Sequence, residues 1–296
     1  MKAYSVVIPT LGNRPESLRR LLWDLRSQSE LPNRVIVVTA PGAALFDPRD
    51  ELTGIPSLLL ECDQASAAKQ RNLGAAKVVT PIIVFLDDDV RIGENVIPSL
   101  IEALEYRKAS GVAGRMEEGG EHPKPGFITR FYYRLQSGYA HPHFGSRVLG
   151  PAITTFPCYE WEPDDLIESD WLNSACVVYD RELFEEVGGF PAFEGYSPFE
   201  DVHLSMRMAE KRKLYFHRGI LYQHLVEEDG IVGGDQSFAI GRMFIRNQRQ
   251  TARELLSLSP VALEAKLTLH KFWILLSLLR RRPSGWTGRA LGTLFS

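Results

Sequence analysis

The stretch IIVFLDDDVRIG, residues 82–93, drives five apolar residues straight into three consecutive aspartates. Neighbouring carboxylates repel one another unless a cation or strong hydrogen-bond donors offset their charge. Asp87 and Asp89 stand in an Asp-x-Asp spacing. In an extended segment alternate side chains point the same way, so these two can share one ligand while Asp88 faces elsewhere. Carboxylates in that number suit Mg²⁺ or Mn²⁺, the former usually held by one or two acids plus substrate phosphates. A solvated acidic turn is the ordinary alternative for such a run.

Three further groups could carry chemistry. AAKQRNLGAA, residues 67–76, contains Arg71 and Asn72, and a guanidinium there could fork onto phosphate or orient the acids. Gly74 in its middle costs about 1 kcal/mol relative to alanine, which predicts close approach of another backbone. Glu200-Asp201 follows Pro198 at an expected helix start, where the helix dipole stabilises a carboxylate and a rigid element could present a general base to an acceptor hydroxyl. His224 in LYQHL follows apolar residues, a setting in which a histidine is usually structural and can also ligate metal.

These residues need a frame. The first 115 residues alternate strand and helix patterns: strands over 4–9, 34–39, 57–61 and 82–86, helices after residue 14, over 66–77 and over 95–106. Such alternation predicts a mainly parallel α/β sheet flanked by helices, with ligands gathering at the carboxyl ends of its strands. The 10–14 loop, Thr39, Asp63 and the three aspartates all fall at that edge. Residues 116–168 are rich in glycine, proline and aromatics and weakly periodic. Within them FITRFYYRLQ sets Phe127, Ile128, Phe131, Tyr132 and Leu135 on one helical face, with Arg130 and Arg134 off it. Core packing is the expected use of that stripe, a membrane-facing or sugar-stacking surface the alternative. From Trp171, LNSACVVY reads as a strand, RELFEEVGGF and EDVHLSMRMAEKR as helices, and KLYFH as a short strand. The expected division is a ligand-binding half over 1–115, a second half of the same domain over 116–234, and a basic helical tail over 235–296.

The chain has 296 residues, 44% of them hydrophobic, enough for one large domain. Its three cysteines are widely spaced and form neither a disulfide framework nor a zinc site, which points to a reducing compartment. With no secretion leader before the first strand, a cytoplasmic location is expected. Net charge is −3 but uneven: residues 241–296 hold ten Lys or Arg against two Glu, a net of +8. Phe272, Trp273, Ile274, Leu276 and Leu279, flanked by Lys271 and Arg280-Arg281-Arg282, predict a peripheral contact with an anionic membrane on the inner face. No nucleic-acid motif accompanies the charge.

In order, SVVIPTLGNRPESLRRLL, AAKQRNLGAAKVVTPIIVFLDDDV, WLNSACVVYDRELFEEVGGF, FEDVHLSMRMAEK and LYFHRGILYQH resemble the family 2 glycosyltransferases of the GT-A fold, covering residues 5–224. The resemblance implies a GT-A sheet with a helical C-terminal extension. It also implies transfer of a sugar, with inversion, from a nucleotide-sugar to a saccharide or lipid-linked hydroxyl acceptor in polysaccharide or glycolipid synthesis; a UDP-sugar is the expected donor. By it Pro9, Thr10, Arg14, Asp63, Arg71, Asp87 and Asp88 would bind the donor, Asp89 and His224 a metal ion, Asp201 would be the base with Glu200 beside it, and Trp171 and Asn173 would meet sugar or acceptor. His203 stands where many members carry an acid, and Gln64 where glycine is common.

Three other readings compete. An aspartyl phosphatase would want Thr or Val where Arg91 stands, and a nucleotidyltransferase would want a Gly-rich basic loop after the first strand. A non-catalytic sugar- or lipid-binding descendant of the fold would have no need of Asp87, Asp89, Arg71 and Asp201 together.

Overall fold

A computed structural model describes residues 2–117, 124–137, 144–157, 164–193, 198–225, 237–281 and 285–296. Cys158, Arg282 and the aromatic residues Tyr139, Tyr159 and Trp161 lie outside the described residues.

The first half is wound as its pattern predicts. β1 (Tyr4–Thr10), β2 (Arg34–Thr39), β3 (Ser57–Glu61) and β4 (Ile82–Leu86) lie parallel in the order β3-β2-β1-β4. Between them run α1 (Pro15–Arg26), α2 (Pro48–Glu51) and α3 (Ala67–Ala75). These strands read as unbroken apolar runs because both faces are covered. Val6, Ile8, Val35, Val37, Val84 and Leu86 feed one core with α1. Val7, Ile36, Val38, Ile83 and Phe85 feed the other.

Beyond β4 the sheet becomes mixed. A short strand, β5 (Val90–Ile92), follows the aspartates directly, before α4 (Val96–Arg107) and β6 (Gly111–Met116). The fifth helix, α5 (Phe127–Ser137), and a small hairpin of β7 (Val148–Leu149) and β8 (Ile153–Thr154) occupy the irregular segment. The chain then re-enters the sheet through β9 (Leu166–Ser169), β10 (Cys176–Asp180), α6 (Arg181–Glu186), α7 (Glu200–Lys211) and β11 (Leu214–His224). The order continues β4-β10-β6-β11-β5, with β10 antiparallel to both neighbours and β6 parallel to β11. Three helices close the chain: α8 (Ser237–Leu255), α9 (Pro260–Arg281) and α10 (Trp286–Leu294).

Several expectations are corrected. The short strand expected over KLYFH is a single long β11, irregular between His217 and Leu221, that carries the chain on to His224. Gly74 does make room, but for side chains rather than backbone: a Cβ there would lie 2.4 Å from Val7 Cγ1 and 3.1 Å from Val38 Cγ2, so α3 sits hard against the sheet. The stripe on α5 is not core. Only Tyr132 and Gln136 of that helix are buried, while Phe127, Ile128, Phe131 and Leu135 are exposed. Its partner is α9, whose Trp273 stacks on Tyr132 at 4.3 Å and is thus turned inward rather than toward a membrane.

Candidate functional site

The three aspartates occupy the turn between β4 and β5, where sheet pairing fixes the backbone on both sides. Asp87 N donates to Ala175 O at 3.0 Å, and Leu225 N donates to Asp89 O at 2.8 Å. The β11–β5 register sets His224 opposite Val90, which delivers its imidazole to Asp89. His224 Nε2 lies 3.3 Å from Asp89 Oδ1.

The repulsion at this turn is offset by the protein's own cations and donors. Thr10 Oγ1 donates to Asp88 Oδ2 at 2.5 Å. Arg14 pairs with Asp89 and lies 3.6 Å from Asp88 Oδ1. Arg71, almost fully buried, bonds Asp87 Oδ1 at 2.5 Å through one terminal nitrogen and Glu200 through the other. Its guanidinium also lies 5.4 Å above the Phe190 ring centroid.

The electrostatics divide the acids by environment. Burial pushes Asp88 up to about 6, against the Thr10 hydrogen bond. Burial works in the same direction on Asp89, but the His224 hydrogen bond and the charges of His224 and Arg14 hold it below the usual range. His224 is raised in turn, chiefly by its hydrogen bond to Asp89. Glu200 is driven up to about 7 by burial, which outweighs Arg71. Burial likewise lifts Asp201 to about 6.

Asp87, Asp89 and His224 each offer an atom such that the three lie within 4.8 Å of one another. Two carboxylates and one imidazole form a donor set that Mg²⁺ or Mn²⁺ accepts, and an octahedral ion with bonds of about 2.1 Å needs ligands no more than about 4.2 Å apart. Ligands at right angles on such an ion lie about 3.0 Å apart, so binding would draw these three atoms closer together. Asp88, turned to Thr10 and Arg14, stands outside that set; the aspartates lie in a turn, with Val90 N 3.4 Å from Asp87 O, and not in the extended segment expected from the sequence.

Across Arg71 from the aspartates stands the start of α7. Phe199, just before it, takes a left-handed φ of 75°, an uncommon conformation for a bulky residue. It is held by α8: Asn247 Nδ2 donates to Pro198 O at 3.0 Å, and the Phe199 and Phe244 rings meet edge to face. Asp201 Oδ1 accepts from Val202 N at 2.8 Å. Glu200 Oε2 is buried with no hydrogen-bond partner among the described residues. His203 Nε2 reaches Glu254 of α8 at 2.7 Å, which gives the position a structural partner on a neighbouring helix.

The remaining residues singled out from sequence are spread more widely. Pro9 is buried in β1 and pairs in register with Val38 of β2. Asp63 is exposed just after β3, at the far side of the same sheet edge. Trp171 lies inside rather than on a sugar-facing surface: it is 4% exposed, its indole N–H donates to Thr155 O at 3.0 Å, and its ring meets Phe156 and Phe216 edge to face. Asn173 is half-buried and accepts a 3.3 Å bond from Tyr222 Oη. Asn72 does not face the site: its amide clamps the backbone of Phe190, donating to the carbonyl at 2.8 Å and accepting from the N–H at 2.9 Å. Gln64 accepts a 2.5 Å bond from Lys69.

Sequence reading missed two supports. Gln70 donates to Thr10 O at 2.8 Å and Val38 O at 2.7 Å, tying α3 to the ends of β1 and β2. A glutamine among alanines on the buried side of α3 was the available signal. Asn247 gave none, because its partner lies 49 residues away.

Residues 5–156 match the family described as Glycosyl transferase family 2. The O-antigen biosynthesis protein RfbC of Myxococcus xanthus is 26% identical over an alignment of 197 residues that covers 63% of this chain and only 14% of that relative's length. Among solved structures, the mannosyltransferase PcManGT from Pyrobaculum calidifontis, in complex with GDP-Man and Mn²⁺, superposes with a TM-score of 0.58 at 14% identity, over 99% of this chain and 86% of that one. GalNAc-T7 with UDP, GalNAc and Mn²⁺ gives a TM-score of 0.62 at 13% identity, over 86% of this chain and 48% of that one. The match covers half the chain, the mixed sheet agrees with those neighbours, and the protein therefore belongs to glycosyltransferase family 2, with the GT-A fold.

Proposed function

We propose that this chain is an inverting, metal-dependent transferase that moves a sugar from a nucleotide-diphosphate sugar to a hydroxyl of a saccharide or lipid-linked acceptor. One observation carries the reading: a single buried arginine, Arg71, bonds both Asp87 of the metal-competent set and Glu200 of the acid pair Glu200-Asp201, which gathers the two groups in one site. An inverting transfer needs both there, a cation for the leaving diphosphate and a base for the attacking hydroxyl.

In this reading Asp201 takes the proton of the acceptor hydroxyl as its oxygen bonds to the anomeric carbon. The bond from that carbon to the diphosphate breaks, and the electron pair leaves with the nucleotide. Glu200, fixed by Arg71 through one oxygen, offers Oε2 to a second acceptor hydroxyl. Arg14 is placed to exchange Asp89 for a phosphate oxygen, and Thr10, Pro9 and Asp88 to form the floor of the nucleotide pocket, with Asp63 toward the base. Mg²⁺ or Mn²⁺ on Asp87, Asp89 and His224 would offset the charge that the departing diphosphate gains. Asn173 contributes to the acceptor side, and Trp171 supports it from beneath. The two structural relatives hold a guanosine and a uridine nucleotide with Mn²⁺, which supports the donor class and metal; a UDP-sugar is the first donor to try. An anionic membrane remains the proposed partner of the basic segment after residue 235.

The test is a panel of nucleotide-sugars assayed for nucleotide release with Mn²⁺, with Mg²⁺ and with chelator. At least one donor should turn over only with metal, and Asp201→Asn should slow it about 10²–10⁴-fold. Turnover indifferent to both metal and Asp201→Asn would overturn the reading.

A further inference from the structure

Helices α5 and α9 run antiparallel and touch along one line on each. Tyr132 Oη lies 2.6 Å from His270 Nδ1, the Tyr132 and Trp273 rings stack 4.3 Å apart, and Gln136 Nε2 donates to Lys266 O at 3.1 Å. Rising numbers on α5 thus meet falling numbers on α9. At about 100° per residue, Ile128, Phe131 and Phe127 lie about 50°, 110° and 150° around α5 from its contact line, all to one side. Phe272 and Leu276 lie about as far around α9 from the line through Lys266, His270 and Trp273. Because the helices are antiparallel, both displacements open to the same side. The opposite sides face inward: Tyr133 meets Phe144, and Leu263 and Leu267 are buried with Ala152 and Ala252. The two apolar sets therefore form one continuous outward face, and its five side chains are 50–85% exposed.

Within the two helices the charge beside this face has one sign. α5 contains no acidic residue, and α9 has none after Glu264, which is engaged by Arg249 and Arg253. Arg130 and Arg280 are exposed beside the apolar side chains. A large apolar face rimmed by cations is what an interfacial helix presents to acyl chains and anionic headgroups. Among the described residues no helix is long and apolar enough to cross a bilayer, so such a face would rest on a membrane rather than span it.

We infer that the paired outer faces of α5 and α9 seat the protein on an anionic lipid surface. The contact is built from two helices, one of them in the middle of the chain, and so goes beyond a basic C-terminal tail. Phe127, Ile128, Phe131, Phe272 and Leu276 enter the headgroup region, and Arg130 and Arg280 meet lipid phosphates.

Flotation of the full chain with vesicles of phosphatidylcholine, alone or mixed with phosphatidylglycerol, tests this. The chain should float with the anionic vesicles and dissociate as salt rises. Phe131→Glu and Phe272→Glu should each lower binding about tenfold or more, and Arg130→Glu several-fold, with thermal midpoints unchanged because these side chains are exposed. Failure to bind anionic vesicles, or binding untouched by Phe131→Glu, would overturn the inference. So would a dimer in sedimentation that Phe131→Glu dissociates without any vesicle binding, since the face would then belong to a second copy. Nucleotide release measured on the same proteins without vesicles separates the two proposals: release kept by variants that no longer float supports the lipid contact, and release absent from the wild-type chain counts against the glycosyl-transfer reading alone.

Discussion

Arg71 and Glu200, 129 residues apart in the chain, meet in a buried ion pair that joins α3 to the first turn of α7. The same guanidinium holds Asp87, so one side chain spans the metal-competent turn and the acid pair. Burial opposes the charge of Arg71, but Asp87 and Glu200 together keep its pKa raised.

Removing Arg71 should therefore expose an uncompensated buried acid. Arg71→Met is expected to destabilise the fold by about 3–5 kcal/mol in urea unfolding, the usual cost of breaking a buried pair from one side. Adding Glu200→Gln should recover part of that loss. Strict additivity of the two substitutions would show that the pair is not coupled.

Asp201→Asn should lower kcat by about 10²–10⁴ while leaving nucleotide-induced stabilisation intact, since a general base contributes on that scale. A loss of nucleotide binding of similar size would place Asp201 on the donor side instead.

The pH profile follows from the direction of the shift. Burial raises Asp201 to about 6, and the base works only when ionised. kcat/KM should fall as pH drops through about 6 and level off above it, and the Asn variant should lose this limb. A flat profile from pH 5 to 8 would remove Asp201 from the proton transfer.

Metal dependence can be read without turnover. A nucleoside diphosphate with Mn²⁺ should raise the thermal midpoint of the wild-type chain, as any ligand of the native state does. Asp89→Asn and His224→Ala should each reduce that rise, whereas Asp63→Asn should leave the metal-dependent part unchanged. An equal response in all three variants would show that the ion sits elsewhere.

Gly74→Ala pits two local effects against each other. Alanine improves helix propensity by about 1 kcal/mol. The added methyl, however, would sit 2.4 Å from Val7 Cγ1, and overpacking of a close-packed core costs about 1–3 kcal/mol. Net destabilisation is expected in urea unfolding, and a more stable variant would mean that α3 can lift off the sheet.

Much of the first half was legible because its signals are local. The strands at 34–39 and 57–61 are found at those bounds, since apolar runs broken by polar turns set strand length directly. β5 escaped notice, because three residues give too short an alternation to separate from the acidic turn before it. The α5 stripe was misjudged for a different reason. Periodicity shows that a helix has an apolar face, but not whether protein, lipid or water lies against it.

The types of the reactive groups were thus written in the chain: three aspartates at a strand end, an acid pair at a helix start, an arginine in a tight alanine helix. Their relations were not, because each depends on sheet pairing across long separations. Only the β11–β5 register brings His224 to Asp89, and only the packing of α3 against the sheet and α7 lets Arg71 reach both Asp87 and Glu200. Side-chain type is a property of the local sequence, whereas distance between side chains is settled by which strands share hydrogen bonds.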